Sequence, residues 1–288
     1  MSASEAFVPP GTGWPEDPAR PDTPVAHDAG EVTELAASAG GLAELIARQS
    51  VCRACPRLVA WREEVAITRR KSFREERYWG RPIAGWGDPS ARILIAGLAP
   101  AAHGGNRTGR VFTGDRSGDF LFAALYRQGL AAQETSVRAG DGQRLIGARM
   151  AAAVRCAPPD NKPTPGERDR CAPWLAAELA QMAETLRVII CLGGFAWQAL
   201  WAPLAAAGWK APRPRPAFAH GAEVMLPPPA PRTPTPQAPA SAPAGGAEPL
   251  LLVGCYHPSQ QNTFTGRVTP EMVDSVLIRA REFAGYRP

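Results

Sequence analysis

The sequence predicts a single α/β domain of three layers, in which helices cover both faces of a central, mostly parallel four-stranded sheet. First, strand-like and helix-like segments alternate along the chain, which is typical of parallel sheets with helical crossovers. Second, the strand-like segments are continuous apolar runs, as expected for strands buried on both faces. Third, 288 residues with 45% hydrophobic content are enough for one substantial core.

Short apolar runs locate the four predicted strands at residues 92–98, 150–154, 187–192 and 250–254. Helical patterns lie at residues 43–49, 57–69, 118–130, 167–186 and 195–206, and a last helix begins at Pro270. Thr164 and Glu167 form a capping-box pattern, and Thr269 precedes Pro270 as an N-cap. Polar or glycine-rich loops follow several strands, and parallel sheets bind ligands beyond the carboxyl ends of their strands. A functional site is therefore expected at that edge.

Two segments have the composition of disordered chain. Residues 1–35 offer little apolar material for a core, and residues 211–248 are dominated by Pro and Ala. The apolar strand pattern resumes directly after the second segment. The sequence therefore predicts a disordered N-terminal tail over residues 1–35 and one globular domain over residues 40–288, with a disordered insertion at about 211–248.

The net charge of +5 and the sequence pI of about 9.1 suit a protein that contacts phosphate backbones, although GC-rich coding would also raise the arginine content. A basic run at residues 69–77 would contact phosphates or form a solvated helix face. The apolar stretches are far shorter than the roughly 20 residues that span a bilayer, and no secretory signal pattern is present. These features predict a protein of the bacterial cytosol with no membrane partner.

Four cysteines lie in polar or Pro-rich sequence: Cys52, Cys55, Cys156 and Cys171. Thiolates select zinc or iron–sulfur clusters, and the spacing favours an iron–sulfur cluster only slightly over a structural zinc ion. Unrelated reduced thiols are the third interpretation. Cys191 and Cys255 lie within strand-like apolar sequence and are predicted to be core thiols.

The loop after the first predicted strand, residues 97–115, is rich in glycine. Its backbone amides, with Arg107 and Arg110, could hold a phosphate. It contains neither a P-loop nor a dinucleotide-binding pattern, so no nucleotide cofactor is expected. Phe112 would stack on a ligand or anchor the loop in the core, and Asp115 would act in chemistry or cap the following helix.

The loop after the last predicted strand begins at His257 and continues with amide and hydroxyl side chains through residue 267. A histidine at the end of a parallel strand, followed by such side chains, suits polar recognition of a ligand better than a role in the core. His257 is therefore a candidate functional residue.

Several segments in this order resemble motifs of the uracil-DNA glycosylase superfamily, and most closely its iron–sulfur branch, family 5, which is similar to family 4. The matching segments are Tyr-Trp-Gly at 78–80, Gly-Trp-Gly-Asp-Pro at 85–89, the loop from 97 to 109, and His-Pro-Ser at 257–259. The resemblance covers most of residues 50–285 apart from the Pro-rich insertion. It implies a DNA-repair enzyme that flips a deaminated base, uracil first, out of double-stranded DNA and hydrolyses its bond to deoxyribose.

The resemblance also implies roles for individual residues. Asp115 would activate water and stabilise the cationic sugar, His257 would bond the base carbonyl, and Phe112 would stack on the flipped base. Ala101 and Asn262 would contact the base or substrate. The four cysteines of the polar and Pro-rich segments would ligate a structural [4Fe-4S] cluster, the alternative being zinc.

This sequence departs from the pattern of its relatives at three positions. Leu98 replaces the acidic residue of family 4, so another group, Asp115, must handle water. Ala152, a further predicted base-contacting residue, stands where uracil-selective relatives have an Asn that reads the base edge. This difference predicts that hypoxanthine and xanthine are also accepted, with Asn161 supplying compensating contacts. Gln261 occupies the position of an apolar wedge in many relatives.

Three other functions are compatible with these patterns. The first is a nucleic-acid-binding protein with the same fold and cluster but no catalysis, against which the presence of Asp115 and His257 argues. The second is an iron–sulfur redox protein, which the lack of a flavin or nicotinamide motif disfavours. The third is a plain α/β domain stabilised by zinc.

Overall fold

The structure is a computed structural model that describes residues 7–229 and 248–286. Its helices in this part of the chain are α1 (Ala29–Ala37), α2 (Leu42–Val51), α3 (Pro56–Thr68), α4 (Gly105–Thr108), α5 (Arg116–Arg127), α6 (Pro165–Gln181), α7 (Gly194–Ala206), α8 (Gln260–Phe264) and α9 (Pro270–Phe283). The strands are β1 (Trp86–Gly87), β2 (Ile93–Gly97), β3 (Ala148–Ala152), β4 (Val188–Leu192), β5 (Glu223–Leu226) and β6 (Leu250–Cys255).

The strands form one sheet in the order β1-β3-β2-β4-β6-β5. The four inner strands are parallel, and the two edge strands pair antiparallel with their neighbours. The chain leaves β2 towards β3 on one side and later returns to β4 on the other side, so the strand order reverses between β2 and β4. At such a switch point the loops beyond the carboxyl ends of the strands separate and leave a crevice for a ligand.

Apolar side chains cover both faces of the sheet. One face packs against α5 and α9, as Ile95 does together with Phe122 and Leu277. The other face packs against α6 and α7, as Ile189 does with Trp197. This arrangement confirms the predicted three-layer α/β domain.

The four predicted strands are confirmed as the parallel centre of the sheet, but the prediction of four strands in all is wrong. The edge strand β1 has only two residues, both half-buried, and so has no apolar run to reveal it. The edge strand β5 alternates exposed and buried residues within Pro-rich sequence. The sequence pattern therefore located the doubly covered strands and missed the edges.

The prediction of a disordered tail over residues 1–35 is wrong for the part that the structure describes. Val8 is fully buried, and its backbone N–H donates to the carbonyl of Trp79 at 3.0 Å. Trp14 packs on the same Trp79, with ring centroids 5.6 Å apart. Asp17 forms an ion pair with the buried Arg81 at 2.6 Å. Local composition does not reveal these distant partners. Residues 1–6 lie outside the described residues.

The predicted disordered insertion at 211–248 is also wrong where the structure describes it. Residues 223–226 form β5, and the indole nitrogen of Trp197 donates to the carbonyl of Pro216 at 2.9 Å. Phe218 packs against the core face of α6 and α7. A few apolar anchors thus hold sequence that its Pro content marks as disordered. Residues 230–247 lie outside the described residues.

A buried charge network connects β3 to α6. Glu178 is fully buried and accepts from Arg149 Nε at 2.6 Å and from Arg155 Nη2 at 2.5 Å. Burial alone would raise the pKa of Glu178, but Arg155 and Arg149 together hold that pKa below its usual value. Two buried cations therefore share one carboxylate.

None of the helices within residues 7–229 and 248–286 combines the length and the apolar content that crossing a bilayer requires.

Candidate active site and cysteine cavity

A cavity of about 320 Å³ opens at the carboxyl edge of the sheet, between the loops that follow β2, β4 and β6. Leu98, Val111 and Leu192 give it an apolar wall. Its polar side chains include those of Asp115, Asn161 and His257. An apolar cavity with a few converging polar groups is the usual form of a small-molecule site, and this volume accommodates a nucleobase.

Asp115 caps a helix and also lies in the cavity wall. Its Oδ1 accepts from the backbone N–H of Gly118 at 2.9 Å and so caps α5, while the side chain also lines the cavity. A Cβ at residue 104 would collide with Oδ2 of Asp115, so only glycine fits there. The cap and Gly104 therefore fix the carboxylate at the cavity wall.

His257 lies two residues after the end of β6 and lines the same cavity. Burial lowers the pKa of the imidazole, and the negative charge of Asp115 opposes this effect without cancelling it. The ring is therefore neutral near pH 7 and can donate an N–H to a ligand without carrying a charge. The backbone at this point is held by Asn262, whose Nδ2 donates to the His257 carbonyl at 2.8 Å.

Phe112 lines the cavity and also rests against the sheet. A Cβ on Gly97, at the end of β2, would lie 2.5 Å from Phe112 Cζ, so the ring needs glycine beneath it. Phe112 has a φ of +51°, in the left-handed region that non-glycine residues seldom adopt. The ring thus presents an apolar surface to a ligand while it anchors the loop.

Of the other predicted base-contacting residues, the structure places Ala101 and Asn161 in the cavity wall. Asn161 is exposed and, like its neighbour Asp160, has a positive φ, of 56°. Ala152 is not in the wall: it is buried in β3 beside Gly97, within the apolar core. The predicted direct base contact of Ala152 is therefore wrong, because its side chain belongs to the sheet.

Asn262 does not line the cavity either, because its amide is engaged by the His257 backbone. The structure gives it a positioning role in place of the predicted contact with the base or substrate.

Sequence reasoning missed the loop after β4. Leu192 and Gly193 line the cavity, together with Phe195, whose side chain is 72% exposed. The Gly-Gly pair at 193–194, directly after a buried strand, was the signal that could have found it. A bulky residue is also excluded at 193, since a Cβ there would lie 3.3 Å from Cβ of His257.

The prediction that Arg110 holds a phosphate is wrong. Arg110 is 1% exposed and forms ion pairs inside the protein, with Asp141 at 2.7 Å and Glu16 at 3.1 Å. Arg107 is also buried and pairs with Glu76 at 2.5 Å. Both side chains stabilise the loop from within.

The four predicted ligand cysteines line one cavity, which shares no wall residue with the candidate active site. Cys52 ends α2, Cys55 begins α3, Cys156 follows β3 and Cys171 lies in α6. Cys191 and Cys255 are buried in β4 and β6, which confirms that they are core thiols.

Cationic groups surround these sulfurs. Arg62 Nη1 donates to Cys156 Sγ at 2.8 Å, and the backbone N–H of Arg155 points at Cys171 Sγ at 3.4 Å. The buried Nε of Arg62, and Nε and Nη1 of Arg155, have no hydrogen-bond partner among the described residues. Burial raises the pKa of Cys52 to about 11. Both arginines line the cavity, and part of their hydrogen-bonding capacity is unused.

Among the described residues, no group of three or more His, Cys, Asp and Glu side chains is arranged to hold a single metal ion. Zinc–sulfur bonds of about 2.3 Å would require all four sulfurs to lie roughly 3.8 Å from one another. The four thiols line one cavity, but they are not placed as the ligands of a single ion.

The chain matches the family model described as "Uracil DNA glycosylase superfamily" over residues 84–281. The "Type-5 uracil-DNA glycosylase" of Mycobacterium tuberculosis (strain CDC 1551 / Oshkosh) is 53% identical over 278 residues, which cover 96% of this chain and 95% of that protein. The protein of that name from Thermus thermophilus is 48% identical over 82% of this chain and 95% of its own length. The protein of that name from Pyrobaculum aerophilum is 41% identical over 81% of this chain and 89% of its own length.

Proposed function

Because the chain belongs to the uracil-DNA glycosylase superfamily, we propose that it hydrolyses the bond between uracil and deoxyribose in DNA and leaves an abasic site. One observation carries the proposal: a fixed carboxylate, Asp115, and a neutral imidazole, His257, line the same base-sized cavity. This reaction is the first step of base excision repair.

The reaction forms a bond between a water oxygen and C1′ of the sugar and breaks the bond between C1′ and the base nitrogen. Positive charge develops on the sugar, and the electron pair of the broken bond leaves with the base. Asp115 orients the water, accepts its proton and stabilises the cationic sugar, while an N–H of His257 donates to the base carbonyl. Both residues thus act where charge develops in the transition state.

The target base must leave the duplex to reach this cavity. Extrusion costs a few kcal/mol of stacking and pairing, and least at a mismatch such as G·U. The flipped base then stacks on the ring of Phe112. This contact partly compensates for the stacking lost in the duplex. Selection of damaged sites begins with this step.

The same cavity accepts hypoxanthine and xanthine. No amide side chain at residue 152 reads a pyrimidine edge, and the apolar wall around a space of about 320 Å³ leaves room for a purine. Asn161 is the amide side chain that remains in the wall. The pocket therefore selects a deaminated base by its carbonyl groups more than by ring size.

Base release from end-labelled duplexes that carry uracil, hypoxanthine or xanthine tests the proposal, with alkaline cleavage at the abasic site as the readout. We expect release of all three bases and none from an undamaged duplex. Release of uracil alone would refute the purine activity. A protein that binds the duplex but releases no base would instead be a non-catalytic nucleic-acid-binding member of the family.

The cysteine cavity holds a [4Fe-4S] cluster in this proposal, with Cys52, Cys55, Cys156 and Cys171 as ligands. A cluster bound by four thiolates is a net anion, which suits the unpaired N–H groups of Arg62 and Arg155. It would hold α2, α3 and α6 together and take no part in base release. The thiols must lose their protons to bind it, which the neighbouring arginines favour.

Cys171→Ser should lose bound iron and lower the melting temperature. We expect about four iron and four sulfide ions per chain in the unaltered protein, measured by elemental analysis and visible absorbance after anaerobic purification. Cys191→Ala is the matched control, because that buried thiol lies in β4 outside the cavity. About one zinc ion per chain and no iron would instead indicate that the four cysteines bind zinc.

A further inference from the structure

A second groove, of about 1590 Å³, continues from the candidate active site along the protein surface. The two cavities share Ala101, Asp115 and Asn161 as wall residues. A flipped nucleotide stays covalently attached to its strand, so the strand must pass the mouth of the base cavity. The groove that shares this wall is a path for it.

Two of the arginines in the groove have no ion-pair partner among the described residues. The side chains of Arg70 and Arg116 line it and are exposed, and neither forms an ion pair within residues 7–229 and 248–286. Arg107 also lines it, but Glu76 already neutralises that charge. The carboxylates in the groove are Asp115, at the wall shared with the base cavity, and Asp119, one turn further along α5.

His103 adds an oriented neutral donor beside Arg70. The Tyr78 hydroxyl lies 3.0 Å from His103 Nδ1 and accepts from the backbone N–H of Arg70 at 3.4 Å, so its proton is available for Nδ1. This arrangement favours the tautomer of His103 that carries its proton on Nε2. Burial, together with the charges of Arg70 and Arg107, lowers the pKa of His103, so the ring is neutral near pH 7.

We propose that this groove binds the backbone of the damaged DNA strand and that Arg70 and the Nε2–H of His103 hold one of its phosphodiesters. A cation and a fixed N–H donor side by side suit a phosphate oxygen better than a base edge or an apolar ligand. Tyr78 is a positioning residue that sets the tautomer of His103. The proposal rests on the proposed function, because it takes DNA as the ligand.

The test is the dissociation constant for a duplex that carries a stable abasic-site analogue, measured by fluorescence anisotropy between about 50 and 200 mM salt. Arg70→Ala should raise this constant roughly tenfold at low salt and reduce the slope of log K against log salt by about 1. Arg70→Lys should keep the slope. His103→Ala and Tyr78→Phe should weaken binding several-fold with the slope unchanged, because a neutral donor releases no counterion.

Arg74→Ala is the matched control, since Arg74 lies in the same basic run, pairs with Glu75 and does not line the groove. The proposal is overturned if Arg70→Ala binds like Arg74→Ala, or if the unaltered protein shows no binding to the duplex. Uracil release measured on the same preparations separates the two proposals. If the protein releases uracil but Arg70→Ala leaves DNA binding unchanged, only the groove proposal is refuted. If Arg70→Ala reduces the salt slope in a protein that releases no base, the groove proposal is supported and the proposed activity is refuted.

Discussion

Asp115→Asn should slow uracil release by a factor on the order of 10² to 10⁴ and leave the protein folded. An asparagine oxygen can still accept from the Gly118 N–H, so the cap of α5 survives. What is lost is the negative charge that accepts the proton of water and stabilises the sugar cation. Single-turnover base release at saturating enzyme measures this effect without a contribution from DNA affinity.

Asp28→Asn provides a matched control for this substitution. Asp28 caps α1 in the same way, by accepting from the Glu31 N–H at 2.9 Å, but it lies far from the cavity lining in sequence and is not part of it. We expect no change in base release for Asp28→Asn. A wild-type rate of base release in Asp115→Asn would show that Asp115 takes no part in the mechanism.

His257→Ala should lower the rate of base release by a factor of about 10² to 10³, as the loss of one oxyanion donor does elsewhere.

Glu178→Gln should lower the free energy of unfolding by about 3 to 5 kcal/mol. The substitution keeps the shape of the side chain but leaves Arg149 and Arg155 buried without a counter-charge. Burial of an unpaired charge is far more costly than loss of an exposed ion pair. Urea-induced unfolding followed by circular dichroism measures the difference.

Glu167→Gln is the comparison for this prediction, because Glu167 lies in the same helix α6 and pairs with Arg57, which is 45% exposed. Glutamine also preserves the capping box with Thr164, so a loss of about 1 kcal/mol or less is expected. Equal effects of the two substitutions would mean that the buried network contributes no more than a surface pair.

The sequence was sufficient to predict the centre of the fold, and the reason is local. Each parallel strand is a short apolar run, and the residues that follow β2 and β6 are glycine-rich or polar because the backbone there meets a cavity. Asp115, Phe112 and His257 were predicted on that basis and do line one cavity. The convergence of four cysteines was likewise predictable, because each lies in sequence unlike a packed core.

What the sequence did not predict depends on contacts between distant segments. The position of Ala152 was inferred from a motif, but a motif does not reveal which side of a strand its side chain occupies. Phe195 and the loop after β4 have no charged residue to draw attention to them. The N-terminal segment is held by Trp79 and Arg81, which lie over fifty residues away in the chain. Local composition contains no information about such partners.

The family match begins at residue 84, but the buried arginines of the domain find their counter-charges well before it. Glu16 and Asp17 neutralise Arg110 and Arg81, and Val8 fills the core beside them. We therefore expect a deletion, or a hydrophobic-to-polar change, in residues 8–19 to destabilise the domain as a core mutation does. The tolerance to change that terminal segments usually have is therefore not expected of this one, because it supplies counter-charges and apolar contacts to the domain.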